Sequence, residues 1–198
     1  METVLYEYQH NIITILANNV VIGIVGIGLL SFAIGHTFLR KMLELGKIEF
    51  YEIVFIVLGY VLGPILTFGM VSICVDEYNE SLMYEEMLAN NEVQIVEGYV
   101  EKYHPMPFGG HDSEHFEING VYFDYSNFES DLGYNDAASH GGVVTENGQH
   151  LKIKYIAEDS PMNPDSDMDE DYSEDVVINE NGELVWRDNV ILYIAEIK

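Results

Sequence analysis

Two long stretches without a formal charge constrain this chain more than any other feature. Between Glu7 and Arg40 lie 32 such residues, and between Glu52 and Asp76 lie 23. Each exceeds the roughly 20 residues that a helix needs to cross a hydrocarbon core of about 30 Å. The reading is two transmembrane helices, near 12–35 and 52–75, in a helical hairpin that occupies residues 1–75. A cleaved signal peptide is a competing reading, but it needs a basic leading region, and residues 1–10 hold no Lys or Arg. A buried hairpin of a soluble protein would need more surrounding chain than remains here to cover both of its faces.

Small residues mark where two helices can approach. Gly59, Gly63 and Thr67 follow one another at one-turn spacing on the second helix, and Gly28, Ser31 and Gly35 share a face of the first. These six are the expected helix-packing residues, within the hairpin and between copies in a homo-oligomer. Pro64 is expected to kink the second helix. Asn18 and Asn19 are costly against lipid, so they belong near an interface or bonded to the other helix. No Asp, Glu, Lys or Arg lies within either span, which argues against a proton relay or an ion-coupled transporter. The link 36–51 carries Arg40, Lys41 and Lys47, whereas the flanks 1–11 and 76–91 carry no basic residue. The positive-inside rule places the link in the cytoplasm and both ends of the chain outside it, with a cytosolic C-terminal domain as the alternative.

The rest of the chain is acidic. The whole sequence has 34 Asp and Glu against 8 Lys and Arg, a formal charge of −26, and 29 of those acids with five of the bases fall after residue 75. Phosphate-driven binding needs a basic footprint, so a nucleic-acid polymer is excluded as a partner. Cys74 is the single cysteine, which excludes an internal disulfide and a cysteine-built zinc site. Residues 76–91 read as an acidic helical stalk ending in an Asn pair. Residues 92–198 then change to strand patterning: 93–103 interrupted by Gly98, 114–119 and 121–126 about the Asn119-Gly120 turn, 150–156, and 190–197. A smaller hairpin pairs 176–179 with 183–187. Five principal strands with a bent first strand point to a small β-barrel of the oligonucleotide/oligosaccharide-binding type or a similar one.

An acidic loop, 158–175, is expected between strands, with nine acids and two prolines among its 18 residues. Asp165, Asp167 and Asp169 have the alternate spacing of the first ligands of a Ca²⁺-binding helix–loop–helix. Glu170 then stands where the turn glycine is required, so the segment reads as a solvated acidic loop or a weak Ca²⁺ site. Four histidines lie in loop-like stretches, and His104, His111, Glu114 and His140 supply ligand types for Zn²⁺ or another divalent metal if the loops converge. The alternative is that these side chains hold irregular loops by hydrogen bonding. Ser139 directly precedes His140 and forms no triad by adjacency.

The strings HPMPFGGH at 104–111, EHFEINGVYFDYS at 114–126, ASHGG at 138–142 and the closing VILYIAEI resemble a group of small membrane-anchored bacterial proteins. In that group a compact all-β domain follows one or more N-terminal hydrophobic segments. The resemblance covers about 93–156 and 190–197 and implies architecture, with no catalytic residue to carry over. The acidic insertion and the small hairpin after it depart from the group's pattern. Two membrane helices followed by a small β-barrel are also similar to membrane effectors of bacterial antiphage signalling, in which a cytosolic barrel binds a cyclic dinucleotide and triggers disruption of the inner membrane. A dianionic ligand wants Arg or Lys, and only Lys102, Lys152, Lys154 and Arg187 are available for it here.

The expectation is a multi-pass protein of the bacterial inner membrane and a non-enzymatic binding or sensing module without a cofactor. Its acidic β domain would meet a protein or ligand beside the bilayer, a basic protein being favoured by charge. The ligand-gated effector is the alternative, and a metal-dependent hydrolase built on the histidine loops is the third reading.

Overall fold

Apolar sequence with no charge to solvate folds as helix, because a helix satisfies its own backbone. The computed structural model describes residues 1–43, 46–129, 131–161, 176–178, 181 and 184–198. Helix α1 spans Ile12–Met42 and α2 spans Phe50–Asn90, and both are long and apolar enough to cross a membrane. Asn11 caps α1 by accepting from the Ile13 N–H at 3.0 Å. Helix α2 passes unbroken through Pro64 and past Asp76. It ends where Asn91 takes φ 56° and the Glu92 N–H returns to the Met87 carbonyl at 2.8 Å.

The strands are β1 (Glu2–Glu7), β2 (Gln94–His104), β3 (Glu114–Ile118), β4 (Val121–Tyr125), β5 (His150–Pro161), β6 (Val176–Ile178) and β7 (Leu184–Ile197). They form one antiparallel seven-stranded sheet in the order β1-β7-β5-β2-β3-β4, with β6 also paired to β7. The chain divides into two units: Met1–Gln9 with Met83–Lys198, and His10–Leu82.

Within the helical unit, α1 and α2 pack through a stripe of small residues. A Cβ at Gly59 would lie 2.5 Å from Ala33 Cβ, one at Gly63 would lie 2.9 Å from Leu30 N, and one at Gly26 would lie 2.8 Å from Thr67 N. Gly23 meets Met70 one turn further on. Gly59, Gly63 and Thr67 therefore face α1. On α1 the contact within the chain is made by Gly23, Gly26, Leu30 and Ala33, whereas Gly28 and Gly35 have open space around them and Ser31 is exposed. Close backbone approach within the pair selects the face that meets Gly63 and Thr67. Asn19 is buried and donates to Ile15 O and, across the pair, to Glu77 Oε2 at 2.9 Å. At the opposite end Arg40 bonds Glu52 at 2.6 Å and the Gly46 carbonyl at 2.8 Å. Large apolar side chains such as Ile13, Phe55 and Phe68 remain exposed over the hairpin surface.

In the β unit, period-two alternation builds the main core: Val96, Val100, Phe116, Ile118, Phe123, Tyr125, Leu151, Ile153 and Ile194 all point inward. The run VILYIA in β7 is apolar on both faces because both are covered. Ile191 and Ile194 join that core, and Leu192, Tyr193 and Ala195 pack with Tyr8 and with Tyr84 and Leu88 of the last turns of α2. A bulge opposite Lys154 and Tyr155 puts the successive residues Leu192 and Tyr193 in the same cluster.

Several expectations are corrected here. The sheet is not closed into a barrel: among the described residues no ladder joins β4 to β7, although Asn189 Nδ2 donates to Tyr122 O at 2.7 Å. The small hairpin expected at 176–179 and 183–187 is present as β6 paired to the start of β7, which runs on unbroken into the expected closing strand, and β1 is the strand not expected. Residues 1–11 are not merely a flank of the hairpin, since β1 pairs with β7 from Glu2 opposite Ile197 to Glu7 opposite Tyr193. The β unit accordingly gathers residues from both ends of the chain rather than 92–198 alone, and it takes the end of the stalk with it. The acidic segment 158–175 begins as strand: Glu158 to Pro161 pair with Asp188 to Val185, and the Arg187 guanidinium grips Asp159 through two bonds of 2.7 and 3.0 Å. Asp165, Asp167 and Asp169 lie outside the described residues. Strand β2 changes partner just after Gly98, pairing with β5 through Gln94 to Tyr99 and with β3 from Val100 onward. Its bulge falls at Lys102, where φ is 51°.

Candidate binding cleft

The hairpin β3–β4 sorts its side chains by parity. Asn119 and Gly120 both take positive φ, 52° and 80°, giving the tight turn that matches strand twist. Glu114, Phe116 and Ile118 then face inward with Phe123 and Tyr125, whereas His115, Tyr122 and Asp124 face outward. This parity sends Glu114 away from every histidine.

Glu114 is fully buried and serves as an acceptor hub. Tyr125 OH donates to it at 2.8 Å, Tyr103 OH at 3.1 Å, and the Ala138 N–H at 3.0 and 3.1 Å to its two oxygens. The bulge at Lys102 turns Tyr103 to reach it, and Asn147 Oδ1 holds the Tyr103 N–H at 2.8 Å. Burial, with Glu114 alongside, pushes the Tyr103 and Tyr125 phenols above their ordinary range, so both remain donors. Tyr134, pushed up to about 12 mainly by burial, accepts from the Val143 N–H at 2.6 Å, and its ring packs edge-on to Tyr125. The loop of the ASHGG string is thus tied into the core. Gly142 permits this, since a Cβ there would fall 1.8 Å from Asp136 O.

Outside, the same strands line a polar cleft of about 800 Å³. His104 and His115 sit opposite each other across β2 and β3 with rings stacked at 4.6 Å, and His104 Nε2 lies 2.9 Å from Asp112 Oδ2. Asp124 is next to His115 across β3 and β4. Glu129 and Asp131 follow from the loop after β4, and Trp186, Arg187 and Asp188 come from β7. Five carboxylates therefore share one concavity with Tyr122 and the single Trp.

The electrostatics of the cleft are those of crowded anions. Burial, followed by repulsion from Asp131, Glu158 and Asp124, raises Asp188 to about 6 although the residue as a whole keeps much exposed surface. Burial likewise raises Asp124 and Glu129. Asp112 is lowered by its bond to His104. Asp188 binds its proton more tightly in the folded state than in the unfolded chain, where it titrates near 3.8. Its stabilising contribution is complete below that value and is lost as pH rises through about 6. Replacing Asp188 with Asn is therefore expected to stabilise the β unit at pH 7 by on the order of 1 kcal/mol after solvent screening. The variant should also flatten the fall in melting temperature across that pH window, as a series of thermal melts would show.

The four candidate metal ligands are not brought together. His104 and Asp112 form a pair on the cleft wall, His111 is exposed with φ 72°, His140 stacks on Phe108 at 4.8 Å, and Glu114 is inside the core. Among the described residues no group of three or more His, Cys, Asp or Glu is arranged to hold a metal ion. The bases considered for an anionic ligand are each engaged within the chain: Lys102 with Glu117, Lys152 with Glu2, Lys154 with Asn91 and the Tyr193 ring, and Arg187 with Asp159. Ser139 Oγ lies 3.0 Å from His140 Nδ1, a contact between sequence neighbours.

No protein-family model, curated protein or solved structure matches the chain. The cleft residues Asp124, Glu129, Asp131, Trp186 and Asp188 are not among those that the sequence singles out, whereas Asp112 stands out as a ligand-type residue beside the histidines. Outward parity at His115 and Asp124 is the available signal for part of the set, whereas Trp186 and Asp188 join only through the fold of β7.

Proposed function

We propose that this protein is a membrane-anchored, non-enzymatic binding module whose acidic cleft takes a cationic group of a protein partner. The observation that carries this reading is the convergence of Asp112, Asp124, Glu129, Asp131 and Asp188 in one concavity with Tyr122 and Trp186. Burial and mutual crowding hold Asp124, Glu129 and Asp188 above the usual carboxylate range, a strain that a bound cation would relieve, and the two aromatic faces suit an ammonium or guanidinium group. The hairpin is the anchor. Because β1 and β7 belong to one sheet, the chain before α1 and the chain after α2 lie on the same side of any bilayer the helices cross, which supports a paired crossing. The basic residues of the link favour the β unit outside the cytoplasm of a bacterial cell membrane, and a C-terminal reporter active only in the cytoplasm would reverse that orientation.

The test of the cleft is binding of a fluorescent oligolysine peptide to the full chain in nanodiscs of zwitterionic lipid. Affinity is expected to fall at least about tenfold between roughly 0.05 and 0.5 M salt. It should fall again when Asp124 and Asp188 are replaced by Asn. Binding that ignores both salt and these substitutions would sink the reading.

A further inference from the structure

Three loops that carry the most distinctive sequence strings meet at an exposed aromatic surface beside the cleft. Phe108 is 74% exposed and Phe128 63%. The exposed His140 ring stacks on Phe108 with an interplanar angle of 3° and meets Phe128 edge-on at 5.9 Å. The platform thus takes one ring from HPMPFGGH, one from the loop after β4, and one from ASHGG.

The loops that carry these rings are tied to the core and to one another. Met106 is buried beneath the first loop, and Ser126 Oγ contacts its sulfur at 3.4 Å while accepting from the Phe128 N–H at 3.2 Å. Asn127 Oδ1 accepts from the Ala137 N–H at 2.8 Å, and Glu114 holds Ala138, so the second and third loops are locked together. Phe128 lies directly over Gly110, where a Cβ would come 2.8 Å from its ring and φ is +72°. A side chain at Gly110 would push Phe128 away. Ordering such loops costs conformational entropy, and their rings still face water, so the surface is preorganised for a contact.

Platform and cleft share a border. His104 and Asp112 of the cleft flank the loop that carries Phe108, and Ser126 and Glu129 of the cleft flank Phe128. A partner covering the rings therefore meets the carboxylates as well. Anionic lipid headgroups and a second copy of this chain, itself at −26, are both repelled by that border. A cationic partner is attracted.

We infer that the docking segment of the partner is a basic amphipathic peptide segment, with Lys or Arg side chains in the cleft and an apolar side chain seated on Phe108, Phe128 and His140. This rests on the cation-binding reading of the cleft and adds the apolar anchor to it. The experiment uses the full chain in zwitterionic nanodiscs and two fluorescent peptides of equal length and charge, one of Lys and Leu and one of Lys and Ser, with binding to empty discs subtracted. The Lys/Leu peptide is expected to bind about tenfold tighter or more. The double variant Phe108→Ala, Phe128→Ala should bring it down to the Lys/Ser level while leaving Lys/Ser affinity unchanged. Both side chains are exposed, and an unaltered thermal melt would establish that the variant is folded. Equal affinity of the two peptides, or no effect of the double variant on a folded protein, overturns the aromatic anchor and leaves the cation site standing. Salt-independent binding of both peptides overturns the cation site and the anchor with it.

Discussion

Replacing Glu114 with Ala is expected to cost the β unit roughly 3–5 kcal/mol, enough to unfold much of it at ordinary temperature. The substitution removes every acceptor offered to Tyr103 OH, Tyr125 OH and the Ala138 N–H at once. All three donors then stay buried or half-buried without a partner, and a cavity opens in the core where the carboxylate was. Glu114→Gln keeps the volume and one acceptor oxygen, so its loss should be smaller. Urea unfolding followed through the fluorescence of Trp186 reads both, since that residue is the single Trp and lines the cleft. Stability unchanged in the Ala variant would mean that the hub does not hold the ASHGG loop.

The second large effect belongs to the hairpin. Gly63→Leu is expected to destabilise helix pairing by about 2–4 kcal/mol, because even its Cβ would lie 2.8 Å from Leu30 Cβ, 2.9 Å from Leu30 N and 3.0 Å from Gly26 O. Two of those neighbours are backbone atoms, so no side-chain rotation relieves the overlap and the helices must part. Gly28→Leu and Gly35→Leu place the same bulk in open space and should leave the melting temperature in detergent nearly unchanged. Equal effects at Gly63 and Gly28 would overturn the assigned contact face.

Particular residues show how far the fold and the cleft are legible in the sequence. Helices α1 and α2 are legible because an apolar stretch longer than a membrane is thick, without one charge, is costly to keep in water. The β3–β4 hairpin is legible from Asn119-Gly120, whose positive φ angles few other pairs adopt. Glu114 has the chemistry of a metal ligand, yet the alternation of EHFEI already puts it on the face of Phe116 and Ile118. The distal part of the β5–β7 ladder has the composition of an acidic loop. Its acids sit in paired strands where Arg187 neutralises Asp159, a pairing that local composition does not encode. Open sheet and closed barrel differ only in whether β4 reaches β7, which no local pattern states. On the helices, small residues mark two possible faces of α1, and only the geometry of α2 chooses between them.

The placement of β1 has a consequence for how the protein is made. Its partner, β7, lies far along the chain, so β1 is synthesised long before the strand it pairs with. Until Leu184 to Ile197 are synthesised, the six residues from Glu2 to Glu7 lack the strand they pair with, while the long apolar segment that follows them is already complete. In the proposed membrane-anchored form, insertion would commit β1 to one side of the bilayer before the surface that receives it exists. The side taken by β1 would in this sense be a decision made on behalf of β7.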